Sequence, residues 1–136
     1  MTAASEMDTK PQSNGVVTGS PKLVLEAEGA LVLAAATYAY NQTHLGWLLY
    51  AVLFLAPDIF MLGYFANTRV GSIIYNFGHT YVVPAALFGL GWGLSAPVVM
   101  AIALIWIGHI GFDRMLGYGL KYESGFKNNH LSSASA

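Results

Sequence analysis

Four long apolar stretches dominate this chain and constrain its fold. They are separated by short polar turns and cover about residues 23–40, 45–65, 70–90 and 97–117. At a helical rise of 1.5 Å per residue, about 20 residues span a hydrocarbon core of about 30 Å. Only α-helices and closed barrels satisfy their backbone hydrogen bonds in lipid, and these stretches lack the alternation of barrel strands. The sequence predicts an all-α, polytopic membrane protein with four transmembrane helices in an antiparallel bundle.

The composition agrees with a membrane protein and argues against several other classes. Of the 136 residues, 55% are hydrophobic and 10% are charged, and the mean hydropathy is +0.52. The net charge of -1 and the lack of a basic patch argue against nucleic-acid binding, which needs Lys and Arg to neutralise phosphates. The predicted partners are membrane lipids. Because the chain has no cysteine, any metal site must use histidine and carboxylate ligands.

Polar segments flank the apolar region at both ends. Residues 1–20 and 123–136 contain too little apolar surface to offset the entropy of ordering, so both are predicted to be disordered tails. The transmembrane domain is predicted at 21–122. The first segment lacks the basic start and adjoining apolar core of a secretory signal, so the first span is predicted to be retained.

The charged residues are distributed on one side of the predicted membrane. Four spans place both termini and the turn at 66–69 on one face, and all six Lys and Arg residues fall there. The turns at 41–44 and 91–96, on the other face, contain neither. Since cytoplasmic segments carry the Lys and Arg excess, the sequence predicts a multi-pass protein of a bacterial inner (plasma) membrane with both termini cytoplasmic.

Four ionisable residues lie inside the apolar spans at similar depths, near the cytoplasmic face. Asp58 belongs to the second span, His79 to the third, and His109 and Asp113 to the fourth. His109 and Asp113 are four residues apart and therefore project from one helix face. Ionisable groups inside a bilayer cost several kcal/mol unless they are paired, hydrated or metal-bound. We therefore predict that the four side chains form one candidate catalytic or metal-binding site.

Three further residues are predicted to support this site. Asn76 precedes His79 by about one helical turn and is placed to hydrogen-bond its imidazole. Arg114, near the end of the fourth span, is predicted to reach lipid phosphate, with pairing to the aspartate of the second span as the alternative. The first span begins on the same face, which makes Glu26 or Glu28 a candidate fifth member.

A proline directly precedes the aspartate of the second span. Pro57 has no backbone N–H and frees the carbonyl of Leu53. We therefore predict a kink just before Asp58, with room for water or a ligand.

The residue types at this site suit a divalent transition metal. Two imidazoles with two or three carboxylates favour zinc, manganese or iron over calcium and magnesium, which prefer oxygen ligands alone. Such an ion lowers the pKa of bound water, and a spare carboxylate acts as general base in hydrolysis. The alternative is structural: the four side chains hydrogen-bond one another and only hold the helices together.

Three sequence blocks resemble a known family: APDIFMLGY at 56–64, YNFGHTY at 75–81 and HIGFDRMLGYGLKY at 109–122. They are similar to the small bacterial membrane proteins grouped as domain of unknown function 4260, over about residues 23–122. The resemblance implies a compact four-helix membrane protein and supplies no substrate or activity. Its implied signature residues are Asp58, Asn76, His79, His109, Asp113 and Arg114.

Three functions remain open from the sequence. The first is an enzyme: a metal-dependent membrane hydrolase with a lipid-like substrate, or a metal-free enzyme that isomerises or cyclises an isoprenoid. An aspartate, a Gly-His pair and a His-x3-Asp pair on membrane helices look similar to the pattern of membrane-bound metal-dependent hydrolases. Those proteins carry additional His and Asp ligands. The second is a proton- or ion-handling or transporter subunit, although a relay would stop halfway because the opposite half of the membrane has no ionisable residue. The third is a structural or accessory protein without catalytic activity.

Overall fold

The computed structural model describes residues 15–132, and this part of the chain has the predicted all-α membrane fold. Four helical segments are long and apolar enough to cross a membrane: Gly19–Asn41, Trp47–Phe65, Thr68–Gly93 and Pro97–Met115. Their helices are α1 (Gly19–Asn41), α2 (Trp47–Phe54), a 3-10 helix (Ala56–Phe65), α3 (Thr68–His79), α4 (Val82–Gly93) and α5 (Pro97–Met115). The second and third spans are therefore each built from two helical pieces.

The second span changes helix type at its proline. The α-helix ends at Phe54, and the 3-10 helix that follows has Pro57 in its first turn. The Asp58 N–H donates to the carbonyl of Leu55 at 3.1 Å, a bond to the third residue back rather than the fourth. Proline removes a helical donor and clashes with the preceding turn, so the α-helical ladder ends here. The break lies directly before Asp58, where the sequence predicts it.

The third span is interrupted in its middle, whereas the sequence predicts one continuous helix over 70–90. The first helix ends at His79, and Thr80 has extended backbone with φ −93° and ψ 142°. Pro84 lies in the first turn of the next helix. A continuous helix would force its ring against the carbonyl of Thr80, four residues back, which explains the break. His79 consequently occupies a helix end, where its carbonyl has no hydrogen-bond partner within the helix.

The fourth span is the central helix of the bundle. Within its membrane segment 44% of the residues are buried, against 6% for the second span, so α5 is the helix around which the others pack. Both α1 and α4 pack against it, and the 3-10 helix packs chiefly against α3. Residues on α5 therefore have the fewest contacts with surrounding lipid.

Glycines allow the closest helix approaches. A Cβ atom on Gly29 of α1 would lie 2.7 Å from the carbonyl oxygen of Gly111, and one on Gly111 would lie 2.8 Å from the carbonyl oxygen of Gly29. On α3, a Cβ atom on Gly78 would overlap the ring of Phe60 in the 3-10 helix. Small residues thus set the spacing between α1 and α5 and between α3 and the 3-10 helix. The second of these contacts brings Asp58 of the 3-10 helix close to His79 of α3.

The chain after α5 is folded, contrary to the prediction of a disordered tail from Glu123. Within residues 119–132, which we call the C-terminal segment, Leu131 is fully buried. The Asn129 carboxamide oxygen accepts the N–H groups of Gly119 and Leu131 at 3.1 and 2.9 Å. Residues 15–20 of the first predicted tail are also described, and α1 begins among them at Gly19, while residues 1–14 and 133–136 lie outside the described residues.

Both ends of the described chain meet on one face of the bundle. The Val17 N–H donates to the carbonyl of His130 at 2.8 Å, and the Tyr122 hydroxyl donates to the carbonyl of Gly15 at 2.7 Å. These contacts place the beginning of α1 beside the C-terminal segment. We call this the terminal face.

The Gly29–Gly111 contact yields a stability prediction. In Gly111→Ala the new methyl group would lie 2.8 Å from both the Gly29 carbonyl oxygen and the Leu33 nitrogen, so α1 and α5 must separate. We expect the free energy of unfolding to fall by about 1–3 kcal/mol, measured by unfolding in mixed detergent micelles.

Gly89→Ala is the matched control, because a Cβ atom there meets nothing within 4 Å. It should leave stability unchanged or raise it by up to about 1 kcal/mol through helix propensity. Equal stability of the two variants would contradict the tight α1–α5 contact.

Candidate metal centre

Four ionisable side chains from three spans meet at one point, as the sequence predicts. They are Asp58 of the 3-10 helix, His79 at the end of α3, and His109 and Asp113 of α5. Each offers one ligand atom, and these atoms all lie within 4.8 Å of one another. Both imidazoles are buried, while the Asp113 side chain is 13% exposed and that of Asp58 is 37% exposed. The cluster is therefore closed on three sides and opens at Asp58.

Five of the six distances between the donor atoms approximate the edges of a tetrahedron. His109 Nε2 lies 3.3 Å from His79 Nε2, 3.3 Å from Asp58 Oδ1 and 3.4 Å from Asp113 Oδ2. His79 Nε2 lies 3.6 Å from Asp58 Oδ1 and 3.4 Å from Asp113 Oδ2. Ligand bonds of about 2.0–2.2 Å around a tetrahedral zinc ion require edges of about 3.3–3.6 Å. These five distances match that requirement.

The backbone of α3 determines the tautomer of His79. Its Nδ1 lies 3.0 Å from the carbonyl oxygen of Tyr75, which can only accept, so Nδ1 carries the proton. The Tyr75 ring also stacks on the imidazole, with centroids 3.8 Å apart and an interplanar angle of 9°. In the neutral ring Nε2 is then the nitrogen without a proton, and it faces the other three donors. This is the usual orientation of a metal-binding histidine whose second nitrogen bonds a carbonyl.

Packing holds the second imidazole. The ring of His109 meets the ring of Phe54 edge-on at a centroid distance of 5.5 Å. Among the described residues, its Nδ1 is buried without a hydrogen bond of standard geometry, although the backbone of Phe54 lies close to the ring, and Nε2 contacts the other three donors. Phe54 ends α2. The change of helix type in the second span thus positions both an aspartate and the aromatic ring beside His109.

Arg114 has a different role from the one predicted. Instead of reaching lipid phosphate or pairing with Asp58, its side chain is buried and donates to two carbonyls, His79 at 3.0 Å and Tyr118 at 3.2 Å. A cation at a helix C-terminus complements the helix dipole and satisfies a free carbonyl. Arg114 therefore fixes the end of α3, where His79 lies.

Asn76 also differs from its predicted role. It does not bond the His79 imidazole; its carboxamide donates to the carbonyl of Lys121 at 2.8 Å and accepts the Lys121 N–H at 2.6 Å. This pair of bonds attaches the C-terminal segment to α3. Asn76 thus supports the site by holding a neighbouring segment in place.

Lys121 is a residue that the sequence analysis missed. Its ammonium group lies 4.7 Å from the centroid of the Tyr75 ring and 3.9 Å from that of Phe126, and it donates to the Phe126 carbonyl at 2.6 Å. Burial lowers the pKa of Lys121, and the negative charge of Asp113 opposes this shift. The sequence signal that could have indicated this role is the position of a lysine soon after the last long apolar stretch. Through Tyr75, Lys121 links the C-terminal segment to the imidazole of His79.

The first span contributes no ligand to the cluster among the described residues. Glu26, a predicted fifth member, lies 3.8 Å from Lys22 as a partly exposed ion pair, and Glu28 lines a separate pocket with Tyr81 and Arg114. Neither carboxylate belongs to the group that could hold a metal ion. The candidate donor set therefore has two imidazoles and two carboxylates.

Fold and site together define a four-span membrane protein with a partly buried His/Asp cluster, a candidate metal-binding group. The chain belongs to the family described as Domain of unknown function (DUF4260), whose model matches residues 22–134. This match confirms the resemblance seen in the sequence and includes the C-terminal segment. No curated protein and no solved structure matches the chain.

The hydrogen bonding of His130 predicts a pH response of the C-terminal segment. Its Nδ1 accepts the N–H of Leu120 at 2.9 Å and must be unprotonated to do so. Burial, together with the charge of Arg114, lowers the pKa of His130 below its ordinary value of 6.5. The unfolded segment then binds more protons than the folded one, so stability is present above pH 6.5 and falls as the pH drops below it.

We expect amide protection at residues 119–122, corrected for intrinsic exchange rates, to decrease between about pH 7.5 and pH 5 in hydrogen-exchange mass spectrometry. His130→Asn places a carboxamide oxygen where Nδ1 lies and should remove the response. A pH response that persists in His130→Asn would contradict the assignment.

Proposed function

We propose that this protein is a membrane-embedded, metal-dependent hydrolase that acts on a lipid-like substrate from the leaflet at its terminal face. The near-tetrahedral arrangement of His79, His109, Asp58 and Asp113 carries this proposal. The one-sided Lys and Arg distribution supports a cytoplasmic orientation of that face in a bacterial inner membrane.

Zinc is the ion that this donor set favours most. Imidazole nitrogen and carboxylate oxygen both bind zinc at about 2.0–2.2 Å, and four-coordinate tetrahedral geometry is its common arrangement. Six-coordinate oxygen-rich shells, as magnesium and manganese prefer, need shorter adjacent edges and more ligands than the four donors here. We therefore propose zinc, rather than manganese or iron, as the bound ion.

The different exposures of the donors support different roles. His79, His109 and Asp113 are the most enclosed and are proposed as the ligands, while Asp58 lies at the open side. In the structure Asp58 Oδ1 lies at the fourth vertex, so a catalytic centre requires this carboxylate to give up that position to water. Three protein ligands with one open position are typical of catalytic zinc sites, whereas four closed ligands are typical of structural ones. A bound zinc ion would lower the pKa of a water molecule towards 7, and Asp58 would be the base that accepts its proton.

The position of the site supports a substrate from the membrane. Asp58, His79, His109 and Asp113 all belong to the membrane-spanning segments, yet Asp113 is only two residues from the end of α5 at the terminal face. The proposal requires water to reach this depth from the terminal face and a lipid to reach it from the bilayer, and the partly exposed Asp58 is the donor on the open side. An amphipathic molecule whose polar group lies just below the membrane surface fits both conditions.

Metal content tests the first part of the proposal. Protein purified in mild detergent without chelator should contain about one zinc per chain by elemental analysis, and His79→Ala or His109→Ala should lose most of it. His44→Asn is the control, because His44 lies in the opposite turn with φ 57°, a conformation that asparagine tolerates. Zinc content that is the same in His79→Ala and the wild type would contradict the proposed ligand set.

The two aspartates should respond differently to neutralisation. Asp58→Asn should retain zinc but lower hydrolysis of a fluorogenic fatty-acyl ester about 10²–10⁴-fold, because the general base is lost. Asp113→Asn should lose the metal itself. Glu26→Gln removes a carboxylate outside the cluster and should change neither measurement.

Loss of zinc from Asp58→Asn as complete as that from Asp113→Asn would make Asp58 a fourth ligand. The centre would then be closed and structural, and the hydrolase proposal would fail.

A further inference from the structure

An apolar cleft of about 220 Å³ lies between the second span and α5. It forms where the second span changes from α-helix to 3-10 helix. Its walls are Leu53, Ala56, Pro57, Phe60, Ile102 and Trp106. The site described above does not use this cleft.

The cleft and the metal centre lie one after the other along the same helix face. On α5, Ile102, Trp106, His109 and Asp113 follow at intervals of four, three and four residues, which places them in one row. On the second span, Pro57 lines the cleft and Asp58 directly follows it. From Ile102 to His109 the distance along the helix is about 10 Å. The cleft is therefore nearer the middle of the membrane, and the centre is nearer the terminal face.

Stacked rings and one hydrogen bond build the wall of the cleft. The rings of Phe60 and Trp106 are stacked, with centroids 5.9 Å apart and an interplanar angle of 15°. Trp106 Nε1 donates to the carbonyl of Gly78 at 2.6 Å, so its polar group is satisfied and only ring surface faces the cleft. Gly78 precedes His79. The wall of the cleft is thus joined directly to a member of the metal centre.

We propose that this cleft holds the hydrocarbon chain of an acyl-ester lipid whose ester group lies at the metal centre. The proposal rests on the hydrolase function above and names its substrate class. A lipid in the leaflet at the terminal face has its chain towards the midplane and its polar group towards the surface, the same order as the cleft and the centre. A cleft this small suits one chain, since whole-ligand pockets are usually about 300–1,000 Å³.

The reaction is the hydrolysis of one ester bond. The oxygen of water adds to the acyl carbon, the acyl C–O bond breaks, and a fatty acid and an alcohol are released. The proton that Asp58 takes from water passes to the leaving alkoxide. Because the surrounding lipid is as apolar as the cleft, the cleft contributes little affinity and acts by aligning the ester with the centre.

Filling the cleft tests the proposal. In zinc-loaded full-length protein, Ile102→Trp should lower hydrolysis of 4-methylumbelliferyl dodecanoate by about tenfold or more through misalignment, while 4-methylumbelliferyl acetate is hydrolysed within about twofold of the wild type. Ile102→Phe, a milder change, should have a smaller effect in the same direction. Val52→Trp is the matched control, because Val52 is 65% exposed on α2 and does not line the cleft.

Zinc content is measured in each variant to confirm that the centre is intact. Equal loss of both activities in zinc-retaining Ile102→Trp, or no loss of either, would overturn the cleft proposal. If wild-type protein binds zinc but hydrolyses neither ester, the hydrolase function itself fails.

Photolabelling distinguishes a failure of the cleft proposal from a failure of the hydrolase proposal. In zinc-loaded protein, a dodecanoic acid with a mid-chain diazirine, held by its carboxylate at the metal centre, should label the peptides that contain 53–60 and 102–106, and Ile102→Trp should remove that labelling. Labelling spread evenly over the lipid-facing surface would overturn chain binding in the cleft, whatever the catalytic result.

Discussion

The cost of holding two carboxylates and two imidazoles inside a membrane governs this structure. Each of these groups alone would cost several kcal/mol in the hydrocarbon region. Their donor atoms lie within 4.8 Å of one another, so a shared cation can neutralise them together. The helices must therefore bring Asp58, His79, His109 and Asp113 to one point, and the irregular features of the bundle occur where they meet.

Both interrupted spans break beside a member of the cluster. The second span changes helix type directly before Asp58, and the third ends its first helix at His79. Irregular backbone at membrane depth is tolerated where protein groups satisfy it, and here Arg114 donates to the His79 carbonyl, which has no partner within its helix. The C-terminal segment supports the same helix through Asn76. The site thus depends on residues that do not belong to it.

Hydropathy and spacing predicted the spans and the convergence of the four donors, because both follow from depth along straight helices. The contacts around the donors could not be predicted in the same way. The role of Arg114 requires the break at Thr80, for which Pro84 was the overlooked signal. The folded structure of residues 123–132 depends on hydrogen bonds between residues distant in sequence, such as Tyr122 with Gly15 and His130 with Val17. The polar composition of this segment does not reveal such contacts.

We propose that His79, His109 and Asp113 hold a metal ion in tetrahedral geometry. X-ray absorption spectroscopy of zinc-loaded protein tests it most directly. We expect four nitrogen and oxygen neighbours at about 2.0–2.2 Å, with the outer-shell scattering of two imidazoles, of which one is lost in His109→Ala. A six-coordinate shell without imidazole scattering, or a spectrum unchanged in His109→Ala, would contradict it.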